Sequence, residues 1–135
     1  MLAVDAVAFA QMIGHAYDCY PEEMCGLLAG SNAGGRAMVF YPCRNTTRSG
    51  RVFEIHAMDY QRAEDDADAR GLELVAIVHS HTHTEPYPSP TDVGVADGLG
   101  AWFRWVIVGL KREAPETRSY RITDGVIAEE QLTVT

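Results

Sequence analysis

One apolar run followed by closely spaced histidines constrains this chain more than any other feature. Residues 74–78 have the composition of a strand buried on both faces, and His79 and His81 follow directly. Side chains alternate along a strand, so a strand that persists through residue 81 points both histidines to the same side, with Cα atoms roughly 6.6 Å apart. Two imidazoles so placed can bind one metal ion. The sequence therefore predicts a metal centre at the end of a buried strand.

A carboxylate beyond a proline-rich turn can supply a third ligand. Asp92 ends the tetrapeptide Ser89-Pro90-Thr91-Asp92, which is also a typical helix start, with serine as N-cap and proline at the first helical position. The two interpretations are compatible, because a carboxylate fixed at a helix start is well oriented to bind metal. Two histidines and one oxygen ligand leave a fourth position open, as in catalytic zinc sites.

The spacing of these residues resembles a known signature. His79-x-His81, seven residues, Ser89, two residues and Asp92 match the H-x-H-(x)7-S-x-x-D pattern of the JAMM metalloproteases, also called MPN+ or Mov34 proteins. The resemblance implies one Zn²⁺ per chain, held by His79, His81 and Asp92. It also implies an α/β fold, with residues 1–135 forming a single JAMM/MPN-like domain of mixed β-sheet and flanking helices.

An upstream segment carries the second part of the resemblance. Glu23 precedes Cys25-Gly26 at the interval of the family's E-x-C-G segment, in which the glutamate is the catalytic base. The implied reaction is hydrolysis of an amide bond by zinc-activated water. Glu23 would take the proton of the water and deliver it to the leaving amine. The hydroxyl of Ser89 would donate to the carbonyl oxygen as it becomes negative.

The histidine-rich core and the last strands also resemble the bacterial Mec-type enzymes of this family. These enzymes release cysteine from a small ubiquitin-like sulfur-carrier protein. The resemblance implies a hydrolase that cleaves the peptide bond after a carrier's C-terminal Gly-Gly, releases an amino acid such as cysteine and serves cysteine biosynthesis.

Three residues are candidates for substrate binding. In the family, the segment that matches residues 45–53 lies near the substrate's tail, which points to Asn45 and Phe53. Tyr87 is the third candidate, because the prolines on either side stiffen its loop and can fix its ring beside the leaving residue.

Several alternatives stay open. A deubiquitinase-like isopeptidase and a small-molecule amidohydrolase or dipeptidase would use the same site. A non-catalytic MPN scaffold is a further alternative, although such domains typically lack the ligands. His83 shares strand parity with His79 and His81, so a three-histidine site also stays open, although the family pattern does not use that position.

Charge and cysteine content limit which classes of partner and which cellular compartment we expect. The formal net charge of −8 argues against nucleic acid and anionic membranes as partners. Three cysteines do not make a disulfide framework, and Cys25 is expected to be a small core residue. The chain has no signal-peptide pattern and no run of 18 apolar residues, so we expect a cytoplasmic protein. A homodimer stays open.

Periodicity and turn residues predict the remaining elements. The expected helices cover residues 4–19, 58–70 and 90–98. The expected strands cover 25–29 and 37–41 as a hairpin, 51–55, 74–81, 102–110, and 119–122 with 126–128 as a terminal hairpin.

Overall fold

A mixed β-sheet with three helices forms the fold in the computed structural model, which describes residues 1–135. The elements in chain order are β1 (Leu2–Val4), α1 (Ala6–Cys19), β2 (Cys25–Ser31), β3 (Arg36–Cys43), α2 (Ala57–Ala69), β4 (Glu73–His81), α3 (Pro90–Leu99), β5 (Arg104–Gly109), β6 (Glu116–Thr123), β7 (Val126–Glu130) and β8 (Leu132–Val134). The strand order is β7-β6-β5-β4-β2-β3-β1-β8. Strand β1 is parallel to β3 and β8, β4 is parallel to β5, and the other pairs are antiparallel. The predicted α/β class with a mixed sheet is confirmed.

Helices cover both faces of the central strands. Strand β4 places Ala76 and Val78 in the core cluster under α1, and Ile77 in the cluster under α2 and α3. Strand β5 divides its side chains in the same way, with Val106 in the first cluster and Ile107 in the second. This two-sided burial is the physical reason for the continuous apolar runs in the sequence. No helix is long and apolar enough to span a membrane.

The predicted strand over residues 51–55 is wrong. Only Ile55 makes a β-bridge, and its partner is Asn45. Residues 44–56 form a loop whose backbone groups bond to the Asn45 side chain and to each other, so they do not need a strand partner. The predicted strand over 37–41 is longer than expected, because β3 extends to Cys43 and includes Pro42. Strand β1 pairs only with the first two residues of β3, Arg36 and Ala37. Pro42 therefore has no strand on its β1 side, and its missing N–H interrupts no hydrogen bonds to β1.

The sheet curls so that its two edges come together. Strands β7 and β8 stand at opposite ends of the strand order, yet only Gln131 separates them in the chain. A buried ion pair lies at this closure: Arg104 Nε donates to Glu130 Oε1 at 2.8 Å, and Ser119 Oγ donates to the same oxygen at 3.1 Å. The Arg104 guanidinium also donates to Asn32 Oδ1 at the end of β2. Arg104 therefore joins the middle of the sheet to its closing edge.

Removing this arginine should weaken the fold. Arg104 is only 7% exposed, and its truncation leaves Glu130 with the more exposed N-terminal ammonium of Met1, 3.1 Å from Oε2, as its remaining cationic partner. We expect Arg104→Met to lower the free energy of unfolding by about 2 kcal/mol, measured by urea denaturation, because the loss of several charge-assisted hydrogen bonds is only partly offset by the N-terminal ammonium. Arg118→Met is the matched control, because Arg118 makes only surface ion pairs, and it should cost less than about 1 kcal/mol. Equal losses in the two variants would contradict a special role for Arg104.

Candidate metal centre and active site

Three donor atoms meet where β4 ends and α3 begins. The Nε2 atoms of His79 and His81 lie 3.1 Å apart, and each lies 3.1 Å from Asp92 Oδ2. All three side chains are buried. The histidines meet because alternate residues of β4 face the same side, as the sequence predicted. Three ligands of a tetrahedral ion with bonds of about 2.0–2.1 Å lie roughly 3.3 Å from one another, so the spacing and chemistry of this donor set fit Zn²⁺.

Glu23 lies beside this triangle. Its Oε1 is 3.8 Å from His79 Nε2, and its side chain is buried. Strand pairing brings it there, because Cys25 at the start of β2 is the register partner of His79. Met24 N–H donates to Ser80 Oγ at 2.8 Å and so ties the residue after Glu23 to β4. One candidate donor atom from each of Glu23, His79, His81 and Asp92 lies within 4.8 Å of the other three.

The environment sets the protonation of these groups. Burial raises the pKa of Glu23 to about 8, against the opposing charge of His81. Burial opposes ionisation of Asp92 too, but its close contacts with the imidazoles of His79 and His81 hold its pKa well below the usual range. Burial lowers the pKa of His79. Asp92 is therefore ionised and His79 neutral, which are the forms that bind a metal.

The two histidines are held by different contacts. His81 Nδ1 lies 2.8 Å from the carbonyl oxygen of Glu85. Because a carbonyl only accepts, this contact places a proton on Nδ1 and leaves Nε2 free to face Asp92. His79 Nδ1 is buried without a hydrogen-bond partner. Its ring is instead stacked on Phe53, with centroids 4.5 Å apart and planes at 21°, and Trp105 packs edge-on at 6.2 Å.

Asn45 and Phe53 both contact residues of the donor group. Asn45 Nδ2 donates to the backbone oxygens of Glu23 at 2.9 Å and Val52 at 3.1 Å, and its Oδ1 accepts from the loop. The amide of Asn45 is thus fully used within the protein, and the stacked face of Phe53 is used by His79. Their role as substrate contacts stays a prediction, and the structure adds that they hold the site together.

Tyr87 and His83 lie at the surface near the site. Tyr87 is 54% exposed and packs edge-to-face against Tyr120, with centroids 5.7 Å apart at 82°. The hydroxyl of Tyr120 donates to Pro86 O, so the loop under Tyr87 is anchored. His83 is exposed and packs edge-on against Tyr20 at 6.2 Å, outside the group of four donors.

Ser89 is the N-cap of α3. Its Oγ accepts from Asp92 N–H at 3.1 Å, and Ser89 N–H donates to Asp92 Oδ2 at 2.9 Å, forming the capping box that the sequence predicted. The oxygen that receives this bond is the one that contacts both histidines. The Oγ accepts in this cap, so its own proton is available to a substrate oxygen.

Ser89→Ala tests both roles of this hydroxyl. Loss of an oxyanion donor should lower kcat by about 10²–10³. Loss of the cap should lower the free energy of unfolding by about 1 kcal/mol. Rates must be measured well below the unfolding transition, with Ser89→Thr as the control that keeps a hydroxyl. An Ala variant with near wild-type kcat would leave Ser89 as a helix cap only.

Sequence reasoning missed the supports of the site. Neither the carbonyl of Glu85 nor the stack of Phe53 on His79 was expected. A backbone acceptor has no residue-type signature, and no sequence signal could have found it. The aromatic side chain of Phe53 could have indicated packing against a buried ring. The expected strand over residues 51–55 led away from that interpretation.

Known proteins resemble this chain along its whole length. The family described as "Prokaryotic homologs of the JAB domain" matches residues 5–123. Proteins named "CysO-cysteine peptidase" from Mycobacterium bovis and Mycobacterium tuberculosis are each 37% identical over 138 residues, covering 99% of this chain and 91% of the relative.

Solved structures show the same fold. A solution structure of a Desulfitobacterium hafniense protein superposes with a TM-score of 0.88 at 26% identity, covering 100% of this chain and 93% of that one. A JAB1/MPN domain protein from Archaeoglobus fulgidus superposes with a TM-score of 0.63 at 18% identity, covering 100% and 97%. The family match and the relatives' name support peptidase activity. They confirm the resemblance to JAMM/MPN proteins, and the chain belongs to the prokaryotic JAB-domain family.

Proposed function

We propose that this chain is a zinc-dependent peptidase that removes one amino acid, such as cysteine, from the C-terminus of a small ubiquitin-like sulfur-carrier protein ending in Gly-Gly. The observation that carries the proposal is the buried triangle of His79, His81 and Asp92, with Glu23 beside it. The name and 37% identity of the mycobacterial relatives support cysteine as the released residue.

His79, His81 and Asp92 would hold the ion. Two imidazole nitrogens and one carboxylate oxygen are a typical catalytic zinc ligand set. When bound there, Zn²⁺ supplies Lewis acidity that makes water a better nucleophile and polarises the substrate carbonyl. The adjacent positive charge would also favour the ionised form of Glu23, whose burial otherwise raises its pKa to about 8.

Glu23 transfers the proton, and Ser89 stabilises the negative charge that develops on the carbonyl oxygen. The Glu23 carboxylate accepts a proton from the attacking water, whose oxygen forms a bond to the scissile carbonyl carbon. The Ser89 hydroxyl donates a hydrogen bond to the carbonyl oxygen as it becomes negative. Glu23 then passes its proton to the leaving nitrogen as the C–N bond breaks. The products are the carrier's C-terminal carboxylate and a free amino acid.

The Gly-Gly tail suits the approach to this site. Glycines have no side chains, so the proposed path of the tail is narrow and runs between residues 45–53 and residues 84–88. Tyr87, exposed but braced by Tyr120, would contact the leaving residue. Replacement of either carrier glycine by a bulky residue should then abolish cleavage without changing the zinc content of the enzyme.

Mass spectrometry of the carrier tests the proposal. The zinc-loaded protein is incubated with a carrier ending in Gly-Gly-Cys, and we expect the carrier to lose the mass of one cysteine residue. A carrier ending in Gly-Gly is the matched control and should stay intact. Hydrolysis of free dipeptides beside an untouched carrier would overturn the carrier substrate and favour a small-molecule amidohydrolase.

A further inference from the structure

We propose that Arg112 is a positioning residue for His81 and acts through Glu85. The inference rests on the proposed metal site and concerns a side chain outside it. Arg112 follows β5 and lies on the surface, where its hydrogen-bond and ion-pair partners are Glu85 and Glu116 rather than any of the four donor residues. Its influence passes through the loop of residues 82–88, which joins β4 to α3.

The first link joins His81 to the backbone of Glu85. The carbonyl oxygen of Glu85 lies 2.8 Å from His81 Nδ1 and fixes which ring nitrogen faces the metal site. The same oxygen accepts Tyr87 N–H at 2.8 Å. The position of this one peptide group therefore decides both the tautomer and the tilt of the His81 ring.

The second link joins the side chain of Glu85 to Arg112. Two parallel contacts form a fork, with Arg112 Nη2 donating to Oε1 at 2.7 Å and Nη1 to Oε2 at 2.8 Å. Lys111 Nζ adds a contact of 3.4 Å to Oε1. Arg112 is in turn fixed by Glu116 at the start of β6, whose Oε1 accepts from Nη1 at 2.8 Å. A bidentate pair constrains direction as well as distance.

These contacts matter because the loop has few others. Of its backbone amides from His83 to Tyr87, only that of Tyr87 makes a backbone hydrogen bond. Tyr120 and the close packing of Pro86 on Gly109 hold the neighbouring residue. Without Arg112, the carbonyl of Glu85 can rotate about the Pro86 anchor and leave Nδ1 of His81.

His79 offers an internal contrast. Its ring is held by aromatic packing against Phe53 and Trp105, with no hydrogen bond to Nδ1. His81 has no such stack and faces the end of β4 that opens onto the loop. Apart from its contacts with His79 and Asp92 inside the site, His81 is oriented by the carbonyl of Glu85, and through it by Arg112.

Zinc affinity is the first measurement, made by competition with a chelator. Arg112 acts one contact beyond the partner of the ligand and through an exposed ion pair, so we expect Arg112→Ala to weaken zinc affinity by about three- to fivefold. Arg118→Ala is the matched control, since Arg118 contacts Glu116 and Glu129 but not Glu85, and it should bind zinc as the wild type does. The conservative variant Arg112→Lys keeps the charge but cannot form the two-pronged pair with Glu85, so it should recover only part of the lost affinity.

Amide exchange in the metal-free protein is the second measurement. We expect the Tyr87 amide to lose protection in Arg112→Ala and to keep it in Arg118→Ala, with unchanged unfolding temperatures because both arginines make exposed pairs. An unchanged result for Arg112→Ala in either measurement overturns the proposal. A wild-type protein that binds no zinc would instead overturn the proposed function, and the exchange of Tyr87 would still decide the role of Arg112.

Discussion

Glu23→Gln should retain the metal ion and lose at least about 100-fold in kcat, because general-base catalysis typically contributes about 10²–10⁴-fold. Glutamine has nearly the same shape but cannot accept the proton of the attacking water. The metal should stay, since Glu23 lies 3.8 Å from His79 Nε2 and outside the triangle of donors 3.1 Å apart. Zinc content and kcat of the same preparation check both statements.

Glu22→Gln is the control for this substitution. Glu22 is half-buried and directly precedes Glu23, and its backbone N–H donates to Cys19 O at 2.9 Å. Its side chain does not belong to the donor group, so kcat should stay near the wild-type value. The reverse ranking of the two variants would assign the base to the wrong residue.

The raised pKa of Glu23 has a consequence for stability in the metal-free protein. The folded-state pKa is about 8 against an ordinary value of 4.5, so the folded state binds more protons than the unfolded state between these values. The free energy of unfolding should therefore fall as the pH rises through this window. Glu23→Gln removes the titration. The difference in free energy of unfolding, Glu23→Gln minus wild type, should therefore increase from about pH 4.5 to 8 and then become constant.

His81→Ala should abolish metal binding. Loss of a ligand removes a bond to the ion as well as the contacts around it, so zinc affinity should fall more than the roughly 100-fold upper range of outer-shell changes. Activity should fall with it at limiting zinc. Elemental analysis of gel-filtered protein measures the metal, and circular dichroism checks that the variant is folded.

His83→Ala is the matched control two residues away. His83 is exposed, packs edge-on against Tyr20 and lies outside the donor group, so its loss should leave zinc content unchanged. Loss of zinc in His83→Ala as complete as in His81→Ala would indicate a three-histidine site. A wild-type protein that stays free of metal after zinc loading would contradict the whole assignment.

Much of the fold and of the donor group follows from patterns of a few neighbouring residues. The alternation of β4 placed His79 and His81 on one side, and the helix-start pattern placed Asp92, because both features are set within a few residues. Strands β1 and β8 were not expected, since each has only three residues and is defined by pairing with the opposite end of the chain. Residues 51–55 do not form the expected strand, because the Asn45 side chain takes backbone hydrogen bonds that a neighbouring strand would otherwise supply.

One oxygen atom of Asp92 belongs to two cooperative units. Asp92 Oδ2 accepts the Ser89 N–H that starts α3 and also contacts both histidines of the triangle. Ion occupancy and the first helical turn are therefore thermodynamically linked, and such linkage is reciprocal. If ion binding stabilises the first turn of α3, a turn that is already formed must increase the affinity for the ion by the same free energy. A ligand that binds at the start of α3 can therefore change the affinity of the site for the ion.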